Sequence, residues 1–105
     1  MVRSTMNYHL QFRYSVTCFT KDYAVVHCLR ALCEWAEKAK YPHKMIGWGH
    51  TKKADWQKKN CCITLRFTDQ HCRQAFLDKA ADLLPGRWNE SAQNDNDPAI
   101  PTRNR

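Results

Sequence analysis

From Tyr8 to Cys18 the chain alternates without a break: Tyr8, Leu10, Phe12, Tyr14, Val16 and Cys18 share one parity, while His9, Gln11, Arg13, Ser15 and Thr17 share the other. Successive side chains of a strand point to opposite faces, so a period of two predicts a strand with one apolar and one wet face. Such a strand is unstable alone. It needs sheet partners and a second layer over its apolar side, and the rest of the chain must supply both.

After the strand, Thr20 offers an N-cap oxygen and Asp22 suits the positive end of a helix dipole. Val25, Leu29, Leu32 and Ala36 then recur at helical spacing, which predicts a helix over about residues 21–39. Tyr41-Pro42 stops it, because proline disfavours the helical conformation of the residue before it. Between His43 and Thr51, Ile46 and Trp48 alternate with Met45, Gly47 and Gly49, a pattern suited to an edge strand that tolerates glycine. The polar stretch Thr51 to Asn60 leads into Cys61, Ile63, Leu65 and Phe67, which alternate with Cys62, Thr64 and Arg66. The two runs read as a hairpin with a long tip. Thr68 caps a second helix with the stripe Cys72, Phe76, Ala80 and Leu83, ended by Pro85-Gly86. Arg87, Trp88 and Asn89 suit a short last strand, and residues 91–105, polar and without aromatics, are expected to form a disordered tail.

Strand, helix, strand, strand, helix, short strand is the split βαβ order, in which two helices cover one face of an antiparallel sheet. The fold expected is therefore α+β, a ferredoxin-like sandwich built by residues 1–90 as a single domain. A length of 105 residues fits one core, and 43% hydrophobic with 26% charged residues is the balance of a globular chain rather than of a linker or a collagen-like repeat. No apolar run reaches membrane-spanning length, and Met1 to Tyr8 lacks the apolar segment of a signal peptide. A cytoplasmic protein without membrane contact is expected. Since the ferredoxin-like superfold hosts unrelated functions, its topology assigns no activity.

Charge narrows the choice of partner. Seventeen Lys+Arg against 10 Asp+Glu gives +7, and the whole excess lies before residue 86. It concentrates in the predicted tip, where Lys52, Lys53, Lys58 and Lys59 flank Trp56 with Asp55 as the one acid. On a projecting hairpin, ammonium groups neutralise phosphates and release counterions while a tryptophan stacks on a base. The competing reading is a solvated tip whose lysines blunt an edge and whose tryptophan folds back on the sheet. Arg13 and Arg66, on the expected open sheet face, extend the cationic surface. That face has no outward Phe, Tyr or Trp on its central strands, so it lacks the stacking platform of RNA-recognition modules.

Six cysteines and five histidines raise the question of metal or thiol chemistry. No CxxC is present, and His27-Cys28, Cys61-Cys62 and His71-Cys72 are adjacent pairs whose members point apart, so no metal and no disulfide framework is expected. Cys18, Cys61 and Cys72 fall on inward stripes as small hydrophobes. Cys62 points outward and is the one candidate nucleophile, with His9 or His50 as its base. Glu34, Glu37, Asp78 and Asp82 read as solvated helix faces, and Trp35 as a boundary aromatic beside Arg30 and Lys38. The resulting expectation is a small, basic, non-catalytic accessory or regulatory module without cofactor. It contacts nucleic acid or a nucleoprotein complex through Lys52, Lys53, Trp56, Lys58 and Lys59, assisted by Arg13 and Arg66. The alternative is a protein-interaction module, an inhibitor or adaptor, using Trp35, the edge strand around Met45 to His50, or the open sheet face as a homodimer surface.

Overall fold

The computed structural model describes residues 11–37 and 51–98, arranged as three antiparallel strands with helices over one face. Strand β1 is Tyr14–Phe19, helix α1 Tyr23–Ala36, helix α2 Lys53–Lys58, strand β2 Cys62–Phe67, helix α3 Gln70–Leu83 and strand β3 Asn89–Asn94. The sheet order is β2-β1-β3, so the strand with the strongest alternation is the central one. In register, Tyr14, Val16 and Cys18 face Phe67, Leu65 and Ile63, and these side chains make the floor of the core. Val25, Val26, Leu29, Cys33 and Ala36 from α1 and Phe76, Leu77 and Ala80 from α3 close it from above. Phe67 and Phe76 lie with ring centroids 5.2 Å apart, which joins sheet to helix.

Among the described residues the alternation of the first strand is realised from Tyr14 onward. Phe12 is buried, as its parity predicts, but precedes the strand, and Tyr8 and Leu10 lie outside the described residues. The expected edge strand at 43–51 also falls almost wholly outside them.

Both helix caps sit one or two residues later than the sequence predicts. Asp22, not Thr20, caps α1, accepting from the Ala24 amide at 2.9 Å, and Asp69, not Thr68, caps α3, accepting from the Cys72 amide at 2.8 Å. The threonines are taken by tertiary contacts: Thr20 Oγ1 donates to the Arg87 carbonyl, and Thr68 Oγ1 donates to Glu37. Glu37 is accordingly buried rather than solvated. Its carboxylate accepts from the Thr68 amide at 2.7 Å and from Oγ1 at 2.9 Å, tying the end of α1 to the start of α3. Glu37→Gln keeps the shape and one acceptor while removing the charge-assisted bonds, so a loss of about 1–2 kcal/mol is expected in urea denaturation. An unchanged midpoint would show that the link carries no stability.

The stripe of α3 is rotated from its predicted position. Arg73, Phe76, Leu77 and Ala80 are buried, Cys72 is half-buried, and Leu83 is exposed. Gly86, at φ +74°, turns the chain after this helix, a conformation glycine adopts without steric cost. The chain then re-enters the sheet. β3 runs through Asn94, so the tail expected from residue 91 is ordered at least to residue 98. Its composition concealed this, since every residue of β3 is exposed and its pairing with β1 rests on backbone hydrogen bonds rather than apolar burial.

Candidate functional site

The segment 51–60 is not an open hairpin tip. Lys53-Ala54-Asp55-Trp56-Gln57-Lys58 contains good helix formers and no Gly or Pro, with an acid in its first turn and a lysine in its last, and it coils into α2. Asn60 and Cys61, at φ 58° and 66°, then reverse the chain into β2. Coiling carries Trp56 inward. Only 7% of it is exposed, its Nε1 donates to the Thr20 carbonyl at 2.9 Å, and its ring lies 5.3 Å from that of Tyr23. The tryptophan expected to stack on a base is part of the core.

Three further tethers seat α2 on the body. Tyr23 Oη and Arg30 Nη1 both donate to Thr51, and the Thr20 amide donates to the Cys61 carbonyl at 3.0 Å. Because Thr20 also holds the Arg87 carbonyl, four chain segments converge on this residue at one end of the sheet. The side chains next to that junction are cationic. Lys21, Lys52, Lys53, Lys58, Lys59 and Arg87 are all exposed, and among the described residues none of the six has a carboxylate within ion-pair distance. Asp22, Asp55 and Glu90 are the acids nearest in sequence, so positive charge prevails at this end. The lysines thus remain displayed although the tryptophan is withdrawn, and Lys21 and Arg87 join them. Sequence alone missed these two because Thr20 brings segments far apart in the chain together.

Arg13 and Arg66 do not belong to this cluster. Arg66 lies at the opposite end of β2, paired with Asp97 at 3.2 Å, and Arg13 Nη2 donates to Asn96 Oδ1 at 2.8 Å. Residues just beyond β3 therefore engage both arginines expected to extend the basic surface, Arg13 staying exposed and Arg66 half-buried. Arg73, which sequence reading did not single out, is buried and donates to the Ser15 and Asn94 carbonyls and to Asp95 at 2.6 Å. Its spacing of three from Phe76 was the available signal.

Among the described residues no group of three or more His, Cys, Asp or Glu is disposed to hold a metal ion. All six cysteines are free thiols. Burial, with lesser contributions from Glu90 and Cys62, pushes the Cys18 thiol up to about 12, and burial with Glu37 raises Cys33 well above the ordinary thiol range. Cys62 is half-buried and its Sγ contacts the Asn60 carbonyl; His9 and His50, its proposed bases, lie outside the described residues. Exposed Cys28 is expected to alkylate first at neutral pH, with Cys18 and Cys33 protected until the protein unfolds. Both raised thiols stay protonated in the fold while their unfolded forms ionise near pH 9, so the stability they contribute is full below that pH and is lost as pH rises above it, for Cys18 over the window up to about 12. A decline of up to about 1.4 kcal/mol per pH unit for each thiol is expected in denaturation curves over that window, and a flat profile would refute it.

Trp35 is 49% and Leu83 58% exposed on the helical layer, and the Lys79 ammonium lies 5.4 Å from the Trp35 ring centroid. No helix among the described residues is long and apolar enough to cross a membrane.

The described residues define a small α+β protein with a three-stranded antiparallel sheet, a helical layer on one face and a lysine-rich end. No family model matches the chain, and no curated protein or solved structure matches it.

Proposed function

We propose that this protein is a small non-catalytic accessory module of the cytoplasm that binds a polynucleotide through its phosphate backbone. The reading rests chiefly on the exposed cationic end, where Lys52, Lys53, Lys58 and Lys59, joined by Lys21 and Arg87, stand without carboxylate partners among the described residues. Unpaired, flexible ammonium groups gain most from phosphate and discriminate least among bases, so binding is of low sequence specificity. With Trp56 walled in, its indole contributes no base stacking. We further read the architecture as ferredoxin-like; the observed order β2-β1-β3 and the antiparallel pairings support that reading.

Titration of the full chain against single- and double-stranded DNA and RNA over a salt series tests the function. Affinity should fall steeply with salt for every sequence alike, with a log-log slope of about −3 or steeper. Absence of binding at low salt sinks the proposal. The exposed pair Trp35 and Leu83 favours a second reading, a protein-interaction surface on the helical layer. A salt-resistant complex or dimer weakened by Trp35→Ala would favour it over the first.

A further inference from the structure

Arg66 lies on the sheet face away from the helices, opposite Ser15 in register. Its Nε donates to the Asp97 backbone carbonyl at 2.7 Å, and its Nη2 reaches both carboxylate oxygens of Asp97 at 3.2 Å. The Asp97 amide donates to the Arg13 carbonyl at 2.8 Å, and Arg13 Nη2 donates to Asn96. Residues 96 and 97 thus form a strap across the Arg13 and Arg66 corner, with both carboxylate oxygens of Asp97 on Nη2 and its backbone carbonyl on Nε. A phosphate oxygen can take the place of the carboxylate on Nη2, because guanidinium N–H groups donate to either anion.

What holds the strap is polar. Between Asn89 and Asp97 the single apolar side chain is Ala92, and β3 is exposed throughout. The two ion pairs at this end differ in kind. The Arg73 side chain is 9% exposed and also binds two strand carbonyls, so replacing Asp95 would not free it for a ligand. The Arg66 and Asp97 side chains are 20% and 34% exposed, within reach of solvent and of a competing anion. An ion pair this accessible is weak and salt-sensitive, which makes it exchangeable.

We propose that the Arg13 and Arg66 corner is a phosphate-binding site guarded by the chain's own Asp97, which a backbone phosphate of single-stranded nucleic acid displaces. The identity of that ligand rests on the polynucleotide reading above; the guarded site itself rests on the strap. Lysines at the other end of the sheet make the first contact, and displacement of Asp97 extends the footprint along the sheet face.

The test compares the full chain with Asp97→Asn, Asp97→Ala and the double variant Asp97→Ala/Arg66→Gln. Alanine is included because asparagine keeps a hydrogen-bond acceptor, and far-UV circular dichroism checks the fold. One probe is pyrophosphate, read by the Arg66 Nε–H resonance; the other is a short fluorescein-labelled single-stranded RNA, read by anisotropy. Both Asp97 variants should respond to pyrophosphate at about two- to fivefold lower concentration than the parent. They should bind RNA tighter by a similar factor, with the salt slope steeper by about one, and the double variant should lose the RNA gain. If no protein binds RNA but pyrophosphate reaches Arg66 more readily once Asp97 is neutralised, the polynucleotide reading falls and the guarded phosphate site stands. If Arg66 ignores pyrophosphate in both Asp97 variants, or RNA binds all four proteins alike, the guarded site is overturned.

Discussion

Trp56→Ala is expected to destabilise the fold by about 3–5 kcal/mol, the usual cost of emptying a buried aromatic site. Since domains of this size are stable by only about 5–15 kcal/mol, that loss removes a large fraction of the total. The reason is specific to where α2 sits. The indole fills space beside Tyr23 and supplies the Nε1 donor for the Thr20 carbonyl, and that residue joins β1, α2, β2 and the entry to β3. Trp56→Phe retains most of the volume but not the donor and should cost about 1–2 kcal/mol. Urea denaturation of the two variants checks both values. Polynucleotide binding by Trp56→Phe, measured where it is fully folded, should equal that of the parent. A folded Trp56→Phe variant with weakened binding would return the indole to the interface.

Replacing Lys52, Lys53, Lys58 and Lys59 together by alanine is expected to weaken polynucleotide binding by about a hundredfold at physiological salt. The log-log salt slope should become shallower by about three for single strands, since each lost phosphate contact removes about 0.7 of a counterion. Stability should change little, because these side chains are exposed and make no ion pair among the described residues. The two variants separate what residues 51–60 do: the buried member holds the fold, and the exposed members meet the ligand. If the alanine variant binds as the parent does at two salt concentrations, the cationic end is not the interface. Lys21 and Arg87, spared in that variant, account for residual binding, and removing them as well should lower it further.

How far the sequence was legible follows from which interactions are local. The strand Tyr14–Phe19, the strand Cys62–Phe67 and both long helices were readable, because amphipathic periodicity reflects burial of one face and burial supplies most of the stability. The last strand was readable only at its start: it is expected over Arg87, Trp88 and Asn89, whereas β3 begins at Asn89 and runs on to Asn94. β3 is polar along its whole length and owes its place to β1, so nothing in its composition separates it from a solvated tail. The caps slipped for a related reason: Thr20 and Thr68 have the right chemistry, but long-range partners, the Arg87 carbonyl and Glu37, claim their hydroxyls and leave capping to Asp22 and Asp69. For residues 51–60 the alternation of the flanking runs suggested a hairpin, while helix propensity within the segment, a weaker signal, decided the outcome.

By itself the sequence determined an α+β chain with an amphipathic central strand, two covering helices and a surplus of positive charge. Periodicity and net charge are properties of the chain that no folding event changes. Only the tertiary structure decided which charges remain available. It turned Trp56 inward, set Asp97 against Arg66, and gathered Lys21 and Arg87 beside the lysines of α2. A charge's worth to a partner depends on what lies within a few ångströms of it, and such neighbours come from distant parts of the chain.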